Sequence, residues 1–248
     1  MRRLLRLGIP LVLCTSKTRA ELRALFPALG AACPAVVEDG CGLLLPPRAF
    51  AGVPLPDARR TRDGRLLPLA LPYARVRRVF RALRRATGGA VVGVGDIPVA
   101  QLARITGLDP AAARRARRRE FDEPFVFVRE ARRHAPTVRR LAARAGLVVS
   151  RGGRFFHLHG PTDKGGATGL MRALLERERG PVRLVALGNS PLDAPLLRAA
   201  DVAVIVPGPD GRPDPALRRA VPRARVAPAP GPAGWARAVQ RLLQEARE

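Results

Sequence analysis

The chain has 248 residues, enough for one large domain or two modest ones around a substantial core. Its 47% hydrophobic and 26% charged content is that of a globular protein, and no run approaches the roughly 18 apolar residues that a bilayer span needs. Basic residues number 45 against 20 acidic ones, a formal charge of +25, yet aromatics are only 4% and no helix-turn-helix, zinc-knuckle or aromatic RNP pattern occurs. The basic residues are scattered through stretches such as "ARRTRDGR", "RVRRVFRALRR" and "AAARRARRRE". They are read chiefly as solvated surface with a compositional bias, and a polyanion partner is the minor reading.

The opening "MRRLLRLGIPLVLCTSKT" can be read as a secretion signal or as a helix end followed by a buried strand. Arg6 and Pro10 interrupt the apolar segment and no A-x-A-like cleavage site follows, which favours the strand. "RAELRALFPALG" has the helical spacing of Leu22, Leu25 and Leu29, and "PAVVEDGCGLLLP" reads as strand, Gly-rich turn, strand. Residues 57–64 turn polar and mark a crossing into a second unit. There "YARVRRVFRALRRAT" is a predicted helix, "AVVGVG" a strand, "PVAQLARITG" a helix with Pro98 in its first turn, and "DPAAARRARRRE" a helix capped by Asp109. "PFVFVRE", "TVRRLAARAG" and "LVVSRGGRFFHLHG" follow as strand, helix and Gly-turned hairpin. Parallel α/β grammar then returns: "DKGGATGLMRALLERE" (helix), "VRLVALGNS" (strand), "PLDAPLLRAA" (short helix), "DVAVIVPG" (strand) and a closing helix anchored by Trp235.

Only two of the 45 basic residues are lysine, Lys17 and Lys164, and both sit in small polar turns. A compact ammonium does what a planar guanidinium cannot, so an arginine-biased chain that keeps lysine at two turns marks both as site candidates. Ligands of open parallel sheets bind at the carboxyl ends of strands, and "CTSKT", "VEDG" and "LGNSPLD" lie at such ends. Thr15, Ser16 and neighbouring backbone N–H groups can cradle a phosphate, Lys164 can neutralise it, and Asn189 and Asp193 can offer oxygens to Mg²⁺. Each signal also has a plain reading as a helix cap or a loop. Arg154, after a Gly turn, can clamp a carboxylate. His157 and His159 alternate with apolar neighbours and are read as packed strand residues rather than metal ligands. Cys14, Cys33 and Cys41 have no metal spacing and are read as reduced thiols of a cytoplasmic protein.

Taken in order, "TSKTRAEL", "PAVVEDGCG", "ITGLDPAAARRARRREFDEPF", "GGRFFHLHGPTDKGGA", "ALGNSPLDAPLL" and "GPAGW" resemble the mannosyl-3-phosphoglycerate phosphatase family of the haloacid dehalogenase (HAD) superfamily over nearly the whole chain. The resemblance implies a Rossmann-like parallel-sheet core with an inserted α/β cap, divided as core 1–62, cap 63–160 and core 161–248. It implies Mg²⁺-dependent removal of phosphate from a small phosphorylated sugar–glycerate substrate. Matched position by position, Thr15 is the phosphate-binding threonine, with Ser16 and Lys17 beside it, and Lys164 is the phosphate-neutralising lysine. Asn189 and Asp193 occupy the metal motif. Glu38, Arg119, Glu123 and Arg154 fall on the substrate side, although Arg119 and Glu123 also read as an ordinary surface ion pair.

Two departures stand against the family pattern. The family's first strand ends in D-x-D-G-T, supplying nucleophile and general acid/base, and no such motif precedes "TSKT". Its G-D-S-x-N-D reads "GNSPLD" here, with Asn189 and Leu192 where Asp and Asn are usual. One expectation is a further strand and helix upstream of Met1, the missing first core strand among them. The other is a non-catalytic relative that binds an anionic ligand. A basic nucleic-acid-binding protein rests on charge alone.

Overall fold

The structure is a computed structural model that describes residues 1–128 and 131–246. The last two residues of the predicted "PFVFVRE" strand and of the closing helix lie outside the described residues. The chain divides into two compact units, residues 1–162 and 163–248.

The first unit begins with helix α1 (Arg2–Arg6), strand β1 (Leu13–Cys14) and helix α2 (Arg19–Leu29). α2 starts at Thr18 because a capping box satisfies its first turn. The Thr18 hydroxyl accepts from the Glu21 N–H at 3.1 Å and the Glu21 carboxylate accepts from the Thr18 N–H at 2.9 Å. It stops where Gly30 takes φ +77°, a conformation glycine adopts without strain. Leu22 is buried as the spacing predicts, but Leu25 is exposed and Phe26, four positions after Leu22, packs in its place. Strands β2 (Ala35–Val37) and β3 (Gly42–Leu45) form an antiparallel pair, joined by a 3₁₀ turn at Glu38–Gly40. Strands β4 (Arg59–Thr61) and β5 (Gly64–Pro68) complete a sheet of order β1-β2-β3-β5-β4, in which β1 and β2 are parallel. The β4–β5 hairpin occupies the polar segment that the sequence marks only as a crossing. As the outermost strand, β4 is largely exposed, so it carries no apolar alternation to betray it.

The rest of this unit is a four-stranded antiparallel sheet. Helix α3 (Tyr73–Ala86) leads into β6 (Val91–Gly93), followed by α4 (Val99–Thr106), α5 (Pro110–Ala116), β7 (Glu123–Phe127), α6 (Ala135–Arg144), β8 (Val148–Gly152) and β9 (Phe155–His159). The strand order is β6-β7-β9-β8. Val76, Phe80 and Leu83 of α3 and Val138 and Ala142 of α6 pack with Val91, Phe125 and Leu158 into one core. α4 and α5 build a separate cluster with Val94 and Ile97. Asp109 caps α5 as predicted, accepting from Ala112 N–H at 2.7 Å, whereas Pro98 stands at the cap of α4, one place before its first turn. The predicted hairpin is β8–β9, with Ser150 opposite His157.

The second unit holds helix α7 (Lys164–Arg179), strand β10 (Val185–Gly188), helix α8 (Ala194–Arg198), strand β11 (Val202–Ile205), helix α9 (Pro215–Ala220), strand β12 (Arg225–Val226) and helix α10 (Gly231–Glu245). Its three strands are parallel in the order β10-β11-β12. Half-buried Trp235 packs against the cluster of Val202, Val204, Val206, Ala227 and Ala238, the anchor expected of it. Among the described residues no helix is long and apolar enough to cross a membrane, and Cys33 and Cys41 are buried.

Two expected outcomes follow for the first unit. Phe125 is fully buried, with its ring 5.5 Å from Phe80 and 5.6 Å from Phe127 and Phe156. Phe125→Ala should cost about 3–5 kcal/mol in urea unfolding, since lost transfer energy and a residual cavity add. Asp63 receives Arg23 Nε at 2.6 Å and Nη2 at 2.7 Å, and Arg19 Nη1 at 2.8 Å. Burial works against its ionisation, but the hydrogen bonds from Arg23 and Arg19 outweigh burial and lower its pKa. A depressed carboxylate stabilises above its unfolded value and loses that contribution as pH falls through its folded value. Asp63→Asn should therefore cost about 1 kcal/mol at pH 7. The gap from wild type should close as pH falls below about 4 in parallel melts.

Candidate functional site

In the first unit the "TSK" loop ends β1 and is tied to the β2–β3 turn by two backbone bonds. Asp39 N–H donates to the Thr15 carbonyl at 3.1 Å and Glu38 N–H to the Lys17 carbonyl at 3.2 Å. Thr15 Oγ1 accepts the Lys17 N–H at 3.1 Å, which bends the loop so that Ser16 and Lys17 face solvent. Lys17 Nζ reaches Glu21 at 3.2 Å.

Glu38 is fully buried. Its carboxylate accepts the N–H groups of Glu120 and Phe121, each at 2.9 Å, and of Asp122 at 3.1 Å. It thereby pins the segment that leads into β7. Burial pushes the Glu38 carboxyl up, to about 8, against the pull of Arg119. Arg119 is 9% exposed, donates from both terminal nitrogens to the Ser16 carbonyl at 3.1 Å, and bonds Asp122 through Nε at 2.5 Å. Burial also opposes ionisation of Asp122, but the Arg119 charge and the His157 hydrogen bond hold that carboxyl well below its usual range. His157 Nδ1 meets Asp122 Oδ2 at 2.7 Å and lies 3.8 Å from Asp39 Oδ2.

Asp39, Asp122 and His157 thus meet from three separate elements. Each is buried, and one donor atom from each lies within 4.8 Å of the others, so the group can hold a divalent cation. Local patterns give little sign of it. Asp39 and Asp122 lie inside "VEDG" and "REFDEPF", each beside a more conspicuous glutamate, and only the β7–β9 pairing brings His157 across to them. His157 is buried as expected of a packed strand residue, and it is also hydrogen-bonded. His159 bonds the Gly160 carbonyl at 2.7 Å and Ser150 Oγ at 3.0 Å, and burial lowers its pKa.

Glu123 and Arg154 are engaged elsewhere in the first unit. Glu123 is fully buried; it accepts the Tyr73 hydroxyl at 2.5 Å and the Gly95 N–H at 2.9 Å, and it pairs with Arg77 at 3.3 Å. Successive residues of an extended segment point to opposite sides, which separates Asp122 from Glu123. Arg154 is exposed and donates to the carbonyls of Ile105 at 3.0 Å and Thr106 at 3.3 Å.

In the second unit Lys164 opens α7 behind Asp163, which accepts the Gly166 N–H at 2.8 Å. Lys164 Nζ donates to Asp193 Oδ1 at 2.7 Å with both residues buried. Asp193 Oδ2 accepts the N–H groups of Asn189 at 2.9 Å and Ser190 at 3.0 Å, and the Ser190 hydroxyl at 3.2 Å. Burial resists this charge, but Lys164 and these N–H donors prevail, and the Asp193 carboxyl is lowered. Gly188, the last residue of β10, permits the close approach, since a Cβ there would lie 2.6 Å from that of Asp193. Asn189 itself is exposed. Lys164, Asn189 and Asp193, three of the residues that the sequence singles out, therefore stand together.

No family model matches the chain. It is 33% identical over 235 residues to a glucosyl-3-phosphoglycerate/mannosyl-3-phosphoglycerate phosphatase of Methanococcoides burtonii, covering 95% of this chain and 85% of the relative. It is 30% identical over 249 residues to the protein so named from Persephonella marina, covering 99% and 88%. Among solved structures it is similar to BT1666, a phosphatase of the HAD superfamily from Bacteroides thetaiotaomicron, with a TM-score of 0.63 and 19% identity over 97% of this chain and 84% of that one. A haloacid dehalogenase-like hydrolase from the same organism gives 0.65 and 15% over 97% and 89%. These structures share the fold. The two relatives reach further, and the chain belongs to the glucosyl-3-phosphoglycerate/mannosyl-3-phosphoglycerate phosphatases, phosphoric monoester hydrolases with the HAD fold.

Proposed function

We propose that the protein acts on a sugar linked to 3-phosphoglycerate, removing its phosphate to leave the glycosylglycerate, in the cytoplasm. The observation that carries this reading is the buried Lys164–Asp193 pair at 2.7 Å, set beside the exposed Asn189. A lysine locked by a carboxylate keeps its charge and its place, which suits it to neutralise the phosphate dianion. In the first unit Thr15, with Ser16 and Lys17 on the bent loop after β1, offers hydroxyl and N–H groups of the kind that cradle a phosphate. Glu38 and Arg119 hold the first unit's carboxylate–histidine group in place. The chain is divided for this reaction into core 1–62, cap 63–160 and core 161–248, with Glu123 and Arg154 in the cap.

We further propose Mg²⁺ as the divalent ion of the reaction. When bound it would polarise the phosphate oxygens. The residues expected to hold it, Asn189 and Asp193, fit it poorly. Both oxygens of Asp193 already serve Lys164, two N–H groups and the Ser190 hydroxyl, and Asn189 offers only a neutral amide. Mg²⁺ surrenders its water reluctantly to so thin a donor set. This mismatch favours a second reading, a relative that binds the phosphorylated ligand without rapid turnover.

Calorimetric titration with mannosyl-3-phosphoglycerate and with glucosyl-3-phosphoglycerate, beside a phosphate-release assay, separates the two. Binding should fall at least 10-fold in Lys164→Ala, which removes a charge-assisted bond to the anion. Failure of either compound to bind wild type would refute both readings. Release on the order of 1 s⁻¹ or faster would establish the hydrolase and discard the binding-only reading. Slow release that accelerates in Asn189→Asp would assign the deficit to the metal position. Mg²⁺ titrated alone into Asp39→Asn, which breaks the carboxylate–histidine group of the first unit, should bind more weakly than micromolar, and a submicromolar Kd there would contradict the poor fit.

A further inference from the structure

The arginines that look scattered in sequence are aligned on one side of the second sheet of the first unit. α3 buries Val76, Phe80 and Leu83 against that sheet. On its opposite side Arg75, Arg78, Arg81 and Arg85 follow at spacings of 3, 3 and 4, and all four are exposed. That is the spacing of a single stripe, about 15 Å long at 1.5 Å per residue. α6 packs into the same core through Val138 and Ala142 and exposes Arg140 and Arg144, four positions apart. Neither helix contains an aspartate or a glutamate. None of these six guanidiniums pairs with a carboxylate among the described residues.

Fold stability does not account for this arrangement. Like charges at three- and four-residue spacing repel, and Arg75 lies in the first turn of α3, where the helix dipole favours acids. Several arginines elsewhere are drawn onto carboxylates, as none of these six is. Arg172 bonds Glu176 and Asp201, Arg19 and Arg23 share Asp63, and Arg225 meets Glu245.

We propose that the outer face of α3 and α6 binds the phosphate backbone of double-stranded nucleic acid without regard to sequence. A row of guanidinium forks suits regularly spaced phosphates, each fork taking two oxygens. The only aromatic residues on these two helices are Tyr73 and Phe80 of α3, half-buried and buried, so the face offers no stacking platform for unpaired bases. It also lacks the apolar wedge of a membrane-surface helix, since none of the exposed large hydrophobic side chains lies on α3 or α6.

The test is fluorescence anisotropy with a 20-base-pair duplex, and with a second duplex of scrambled sequence, across 50 to 200 mM salt. Both duplexes should bind equally, with affinity falling steeply as salt displaces the advantage of released counterions. Arg78→Gln, Arg81→Gln and Arg85→Gln combined should weaken binding at least 10-fold and shed roughly 2.7 of the log–log salt slope, at about 0.9 for each phosphate no longer neutralised. These side chains lie on solvent, so circular dichroism and thermal melting should match wild type. The charge-matched control is Arg59→Gln, Arg60→Gln and Arg62→Gln, all exposed on the β4–β5 hairpin of the other sheet of this unit. It should retain the wild-type slope. An equal loss in the control would reduce the effect to net charge and overturn the proposal. So would no duplex binding at 50 mM salt, or binding to phosphatidylglycerol vesicles without binding to duplex.

Discussion

One buried guanidinium carries the organisation of the first unit. Arg119 takes the Ser16 carbonyl on one side and Asp122 on the other, so the loop after β1 and the approach to β7 are held by the same side chain. A buried arginine is tolerable only when its donors are spoken for, and its two carboxylate neighbours and one carbonyl meet that requirement. Glu38 closes the arrangement by gathering three successive backbone N–H groups that would otherwise be orphaned beside the core. The consequence for function is geometric. Once Arg119 and Glu38 fix residues 119–122, Asp122 has one oxygen committed to Arg119 and the other aimed at His157, and the carboxylate–histidine group follows.

The second unit solves a smaller version of the same problem. Asp193 is buried and would repel its own charge from the interior, so it is satisfied by one ammonium and a set of N–H and O–H donors. The price is ligand capacity: a carboxylate so completely used has little left for a metal. Exposed Asn189 beside it contributes only a neutral amide. The lysine of this pair supplies a compact charge that arginine could not reproduce.

Local chemistry was legible wherever it was local. The α2 capping box, the Asp109 cap, the β8–β9 hairpin and the cluster of Lys164, Asn189 and Asp193 each involve residues close in sequence or at the end of a recognisable strand. The β4–β5 hairpin was not, because an exposed edge strand needs no hydrophobic period. Leu25 misled for a related reason: the apolar spacing of α2 admits two faces, and only the sheet beneath selects Phe26.

By itself the sequence determined the class of fold and the family and marked Lys164 as a site candidate, because these rest on periodicity, on the order of motifs, and on residue types that cannot substitute for one another. Only the tertiary structure decided that Asp39, Asp122 and His157 form one group. It also decided that Glu38 grips backbone in the interior, and that arginines distributed through the chain align on one face of two helices. The physical reason is common to all three. Strand pairing and helix packing bring together residues far apart in the chain, and no local pattern records which side chains will meet across a sheet or share a face once the cores have closed.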